Sequence, residues 1–215
     1  MKAIIFDFDG TLANTLPVNY AGFKHVFQEF DNKSLSDEEV KNLFGPPEPE
    51  IIKEHLNSDQ VEKAIEYYYE VYETHHSHLV DRNKEIEDML FKLKNHGMKL
   101  GVVTGKSRRS FETSLERLKM NNLFDVMITG YDTEYDKPNP EGILKALQKM
   151  NMRRNQSMYI GDSDGDIHAG RRANVTTAGA KWLPEYQSSE YTAEPDAIFT
   201  HPFDLFHFLK QDLVK

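Results

Sequence analysis

Asp7-Phe8-Asp9-Gly10-Thr11 sets two carboxylates two residues apart, directly after an apolar run that begins at Ala3. Strand residues at that spacing face the same way, so Asp7 and Asp9 can present both acids to one spot. Gly10 permits a sharp turn and leaves its N–H open to a ligand, with Thr11 beside it. Such a pair suits nucleophilic attack by a carboxylate, general acid–base work or a share in a divalent cation site.

Three further clusters follow apolar runs in the same way. Val103-Thr104-Gly105-Lys106 combines a hydroxyl, a glycine and the first turn of a helix, a cradle for phosphate made of Thr104, Gly105 and Lys106. Lys137-Pro138 supplies a lysine after the next run. Gly161-Asp162-Ser163-Asp164-Gly165-Asp166 carries three acids at alternate positions. Asp162, Asp164 and Asp166 fit the first ligands of an EF-hand loop, but Ile167 stands where the glycine belongs and Ala173 where the glutamate belongs. An acid on a strand-to-helix turn is instead placed to complete a magnesium site with Asp7.

The elements that must position these residues are legible as alternation. Short apolar runs at 3–8, 99–104, 126–129, 157–160, 176–180 and 197–200 do not alternate with polar residues. That pattern predicts strands buried on both faces of a parallel sheet. Helical spacing separates them, as in Phe111, Leu115 and Leu118, then Ile143, Leu144 and Leu147. The expected fold is α/β, a doubly wound Rossmann-like parallel sheet, and its ligands belong beyond the carboxyl ends of the strands.

Residues 15–82 break this rhythm, because they contain no strand pattern. Phe23, Val26, Phe27 and Phe30 mark one helical face. Ser36 and Glu39 form a capping box ahead of Val40, Leu43 and Phe44. Gly45-Pro46-Pro47 with Pro49 should stop that helix. Val61, Ile65, Tyr68, Tyr69 and Tyr72 form a third stripe. The chain therefore reads as a core of residues 1–14 and 83–215 carrying an all-helical cap, 15–82. His75, His76 and His78 read as a solvated helix end, since a metal site would need a further ligand.

Composition excludes several classes. The 215 residues carry 35 acidic and 26 basic side chains, a net charge of −9, which disfavours nucleic acid as a partner. Zero cysteines exclude disulfides, thiolate zinc sites and cysteine nucleophiles. The longest apolar stretches, such as Leu100 to Val103, fall far short of the roughly 18 residues that span a membrane. The expected location is the cytoplasm.

Asp7-Phe8-Asp9-Gly10-Thr11, Thr104-Gly105, Lys137-Pro138 and Gly161-Asp162-x-x-x-Asp166 occur in the order of the four motifs of the haloacid dehalogenase-like superfamily, which the whole chain resembles. The resemblance implies Asp7 as nucleophile and Asp9 as general acid/base. It implies Thr104 and Lys137 on the phosphoryl oxygens, with Gly10, Thr11, Gly105 and Lys106 around them. Mg2+ would be held by Asp7, Asp162 and the main chain of Asp9, with Asp166 supporting the metal or orienting Lys137. Asp9 implies phosphoryl transfer rather than dehalogenation, because a halide leaves without protonation.

The chain looks most similar to the phosphoglycolate phosphatase-like branch through Gly10-Thr11-Leu12-Ala13-Asn14-Thr15 and Thr104-Gly105-Lys106-Ser107-Arg108. The implied activity is hydrolysis of a small phosphorylated metabolite through an aspartyl phosphate. A pyrophosphatase and a β-phosphoglucomutase-like mutase are the alternatives. Against the mutase, Asn19 stands where that family has a histidine, and Pro46-Pro47-Glu48-Pro49-Glu50 lacks its arginine. Retention of Asp7, Asp9, Lys137 and Asp162 argues against a non-catalytic binding protein.

Overall fold

The computed structural model describes residues 1–212. Six parallel strands form one sheet: β1 (Ala3–Phe6), β2 (Lys99–Val103), β3 (Val126–Ile128), β4 (Ser157–Gly161), β5 (Thr176–Ala180) and β6 (Ala197–Phe199). Their order across the sheet is β3-β2-β1-β4-β5-β6, with β1 between β2 and β4. Each strand coincides with a predicted apolar run. The order reverses at β1, which opens a crevice at the carboxyl ends of β1, β2 and β4.

Alternate residues of the strands feed two apolar layers. Ile4, Phe6, Leu100, Val102, Met158 and Ile160 face one side. There they meet α5 (Lys84–Asn95) and α6 (Arg108–Arg117) through residues such as Leu90 and Phe111, with Leu205 of α9 (Asp204–Asp212) also in this layer. Ala3, Ile5, Val103 and Tyr159 face the other side, against α7 (Glu141–Met150) and α8 (Asp164–Ala173). No helix among the described residues is long and apolar enough to cross a membrane.

Between β1 and α5 lie four helices and no strand: α1 (Leu16–Asp31), α2 (Asp37–Lys41), α3 (Glu48–His55) and α4 (Val61–Leu79). The Ser36–Glu39 capping box is present and starts α2. That helix ends at Lys41, so Leu43 and Phe44 lie in the turn beyond it. Pro49 does not stop a helix but sits in the first turn of α3, where its missing N–H would have had no partner. The pair α1 and α4 pack closely, with the Phe23 and Tyr68 rings 4.8 Å apart. A methyl group at Gly22 would lie 2.5 Å from the Tyr68 ring, so only glycine fits there.

The helical layer meets α6 through polar contacts. Tyr69 donates to the Ser107 hydroxyl at 3.0 Å, and Tyr72 shares a 2.7 Å bond with Ser114. His76 bonds the same Ser114 hydroxyl at 2.9 Å through Nε2 and is fully buried. That corrects the expectation for the three histidines. His78 is exposed and His75 half-buried, but His76 belongs to the seam, because helical spacing sets it one turn beyond Tyr72.

Candidate active site

The β1 run ends at Phe6, yet the N–H of Asp7 still bonds the Ile160 carbonyl at 2.8 Å, so Asp7 is anchored to the sheet. Gly10 then turns the chain with a φ of +75°, a conformation open to glycine. A side chain there would meet the Asp162 carboxylate at 2.2 Å. The turn thus brings the β1 loop against the end of β4.

Asp7, Asp162 and Asp166 converge there, all buried, with one carboxylate oxygen of each within 4.8 Å of the others. Lys137 reaches into the group and donates to Asp7 Oδ1 at 2.8 Å and to Asp166 Oδ1 at 2.6 Å. Asp166 also accepts from the Tyr159 hydroxyl at 2.7 Å and from the Ser163 N–H at 3.0 Å. Ser163 and Asp166 form a capping box at the start of α8. With both oxygens occupied, Asp166 orients Lys137. Asp162 accepts from the Thr11 hydroxyl at 3.1 Å and the Gln187 N–H at 2.7 Å.

Burial dominates the electrostatics. It pushes Asp7 up to about 7, with Lys137 opposing and Asp166 and Asp9 adding to the rise. Asp162 lies well above the usual carboxylate range for the same reason, with the charges of Asp7 and Asp166 next in size. Burial would raise Asp166 as well, but the Lys137 ammonium and the hydrogen bonds to it hold it down. Crowded acids of this kind are the environment a cation relieves.

Asp9 turns elsewhere. Its Oδ1 accepts from the Thr15 hydroxyl and, at 3.1 Å, from Asn19 Nδ2. Lys106 Nζ lies 3.2 Å from the same oxygen and 3.1 Å from Glu48 Oε1. That ammonium also donates to Asn19 Oδ1 at 2.8 Å, and its side chain is 1% exposed. Glu48 is held in turn by the Ser107 N–H at 2.7 Å. Asp9 and Lys106 come from core loops, whereas Asn19 and Glu48 come from α1 and α3.

Both groups line one cavity of about 570 Å3, bounded on the helical side by Asn19, Phe44, Gly45 and Glu48. Of the predicted residues, Asp7, Asp9, Gly105, Lys106 and Lys137 line it, whereas Gly10, Thr11, Thr104, Asp162 and Asp166 do not, and the Gly10 N–H is not open but bonds the Ala13 carbonyl at 2.9 Å. Lys106 does not form an open cradle, because its ammonium is paired to two carboxylates. Thr11 points its hydroxyl at Asp162. Thr104 accepts from the Lys106 N–H at 3.2 Å, and Gly105 lies so near the Gly45 carbonyl that a side chain would meet it at 2.4 Å.

The haloacid dehalogenase-like hydrolase family matches residues 4–180. The chain belongs to that family. The motif resemblance, the α/β fold and the hydrolase class are all borne out by it. Pyrophosphatase PpaX of Bacillus anthracis is 30% identical over 209 residues, 97% of this chain and 96% of that protein. Two solved structures share the fold. CbbY from Rhodobacter sphaeroides in complex with phosphate has a TM-score of 0.82 at 22% identity, over 95% of this chain and 96% of its own. A predicted phosphoglycolate phosphatase from Haemophilus somnus has a TM-score of 0.78 at 22% identity, over 97% of this chain and 98% of its own.

Sequence reasoning missed Tyr159, Asn19, Glu48 and Ser163. Two of these had a signal. A tyrosine in an aliphatic strand requires a partner for its hydroxyl. Serine three residues before an acid, at a strand-to-helix turn, is a cap.

Proposed function

We propose that this protein is a magnesium-dependent phosphatase that hydrolyses a small phosphorylated metabolite or pyrophosphate through an aspartyl phosphate. The observation that carries the reading is one buried carboxylate, Asp7, set beside a lysine and two further acids, facing a cavity that a second acid, Asp9, also lines. Helices α1–α4, within residues 15–82, act as a cap over the leaving group.

Asp7, Asp162 and Asp166 provide hard oxygen donors in a buried cluster, the donor set that Mg2+ prefers over nitrogen or sulfur. Asp7, Asp162 and the main chain of Asp9 would hold the ion, with Asp166 behind Lys137. When bound, it neutralises phosphoryl oxygens and so lets a carboxylate approach a dianion. Lys137 contributes the fixed positive charge on the same side. Asp7 attacks phosphorus and forms the acyl phosphate, which divides one hard displacement into two. Asp9, held by Thr15, Asn19 and Lys106, gives its proton to the departing oxygen and then takes one from the attacking water. Thr104, Gly105, Gly10 and Thr11 surround the phosphoryl group, and Lys106 acts through Asp9.

The pyrophosphatase relative at 30% identity over 97% of the chain supports pyrophosphate as the first substrate to assay. Phosphoglycolate is the second. The test is hydrolysis of p-nitrophenyl phosphate and both candidates with Mg2+, after EDTA, and by Asp7→Asn. Turnover that needs Mg2+ and vanishes in Asp7→Asn is expected. Activity that survives either treatment overturns the reading.

A further inference from the structure

Three lysines line the cavity: Lys41, Lys106 and Lys137. Two are committed. Lys137 stands between Asp7 and Asp166, and Lys106 between Asp9 and Glu48. Lys41 forms no ion pair among the described residues. Its single polar contact is a long one, 3.5 Å from Nζ to the Tyr186 carbonyl.

Lys41 is also placed differently. It ends α2 in the helical layer, while Tyr186 follows β5 in the core, so the ammonium sits on the seam between them. Asn42, next to Lys41 in sequence, and Gln187, next to Tyr186, line the same cavity and carry amide donors. Asp7, Asp9 and Glu48 line the cavity with the committed lysines, and Glu38, Asp164 and Glu190 line it as well. The part formed by Lys41, Asn42 and Gln187 offers donors and one unpaired positive charge.

The whole lining carries more carboxylates than lysines, so an anionic group there gains little from the general field. It must be met by a specific cation, and Lys41 is the one not already neutralised. We propose that Lys41 is a specificity-determining residue that binds a negative charge on the leaving group, selecting substrates whose departing half is itself anionic. The chemistry is that of a second phosphoryl group or a carboxylate. This rests on the phosphatase reading above, and it adds a requirement that the four motifs do not contain.

The test compares wild type, Lys41→Met and Lys41→Arg on three substrates with Mg2+. Pyrophosphate carries a phosphoryl leaving group, phosphoglycolate a carboxylate, and p-nitrophenyl phosphate neither. In Lys41→Met the ratio of kcat/KM for the favoured anionic substrate to that for p-nitrophenyl phosphate should drop about tenfold or more, mainly through KM. Lys41→Arg should recover most of it. A drop confined to pyrophosphate assigns the phosphoryl group, and one confined to phosphoglycolate assigns the carboxylate. A ratio that stays constant, an arginine variant no better than methionine, or a wild type that cleaves p-nitrophenyl phosphate but neither anionic substrate overturns the inference. Wild-type turnover of p-nitrophenyl phosphate reads the phosphatase assignment separately, so the two failures are distinct.

Discussion

Lys137 and Lys106 each stand between two carboxylates, but the two clusters are built from different parts of the chain. Lys137, Asp7 and Asp166 all come from loops and a helix start at the carboxyl ends of sheet strands. Lys106 and Asp9 come from the same edge, yet Glu48 and Asn19, which complete their cluster, are carried by the helical layer. The first cluster needs only the sheet. The second exists only while the helices are seated on it. Under the proposed function, the cluster beside the phosphoryl group is carried by the sheet, and Asp9, the proposed acid/base, is tied to the helices that cover it.

The largest expected effect separates the two by activity and by metal. Lys137→Ala should lower kcat/KM by on the order of 10²–10³-fold, through loss of charge stabilisation at the phosphoryl group. It also leaves Asp7 beside Asp166, and the resulting loss in melting temperature should be largely restored by Mg2+. Thermal melts with and without the ion check this, and a loss indifferent to Mg2+ breaks the distinction.

Lys106→Met tests the other side. It leaves Glu48 buried and Asp9 half-buried without their cation, an expected loss of about 3 kcal/mol in denaturant unfolding. Mg2+ should not restore it. Adding Glu48→Gln should recover part of the loss, and strict additivity of the two changes would show that the pair is not coupled.

The seam also holds a buried histidine, which the sheet cluster lacks. Burial, with Arg117 and Lys106 nearby, lowers His76 to about 4 from an ordinary 6.5. Between those values the unfolded chain protonates this histidine while the folded chain refuses the proton, so the His76 share of stability falls as pH falls through that window, opposite in sign to the share of the raised Asp7 carboxyl. The expected loss is on the order of 2 kcal/mol, read by urea unfolding at several pH values. The stability of wild type relative to His76→Gln should fall as pH falls through that window, and a constant difference would place the titration elsewhere.

The smallest effect sharpens the first cluster. Tyr159→Phe removes one donor from Asp166 and should cost about 1.5 kcal/mol with a modest fall in kcat. A KM change without a kcat change would mean that Tyr159 does not act through Lys137.

The same contrast explains what could be read before the structure. Strands with Ile4, Leu100 and Met158 are buried on both faces, so their runs do not alternate, and the acids at their ends announce themselves. Asp7 and Asp162 are legible for that reason, whereas Lys137, beyond the end of β3, is legible only through its place in the order of the motifs. Glu48 reads as an ordinary helix-start acid, and Asn19 as a polar residue on an amphipathic helix. Their roles depend on how a helix docks on a sheet, which no local pattern encodes. Lys106 shows the limit most clearly. Its motif is legible, but the carboxylate that claims its charge lies 58 positions away on another element, as the numbering of Glu48 and Lys106 shows.

The central place of β1 in the sheet has a consequence for biosynthesis. Both of its neighbours, β2 and β4, are translated long after it, and Thr11 meets Asp162 across 151 residues of chain. At about 5–20 residues per second, Asp7 waits on the order of ten seconds for the aspartate that completes its surroundings. A nascent or prematurely ended chain therefore carries Asp7 without its two partner acids, and the cluster cannot close until synthesis has passed residue 166.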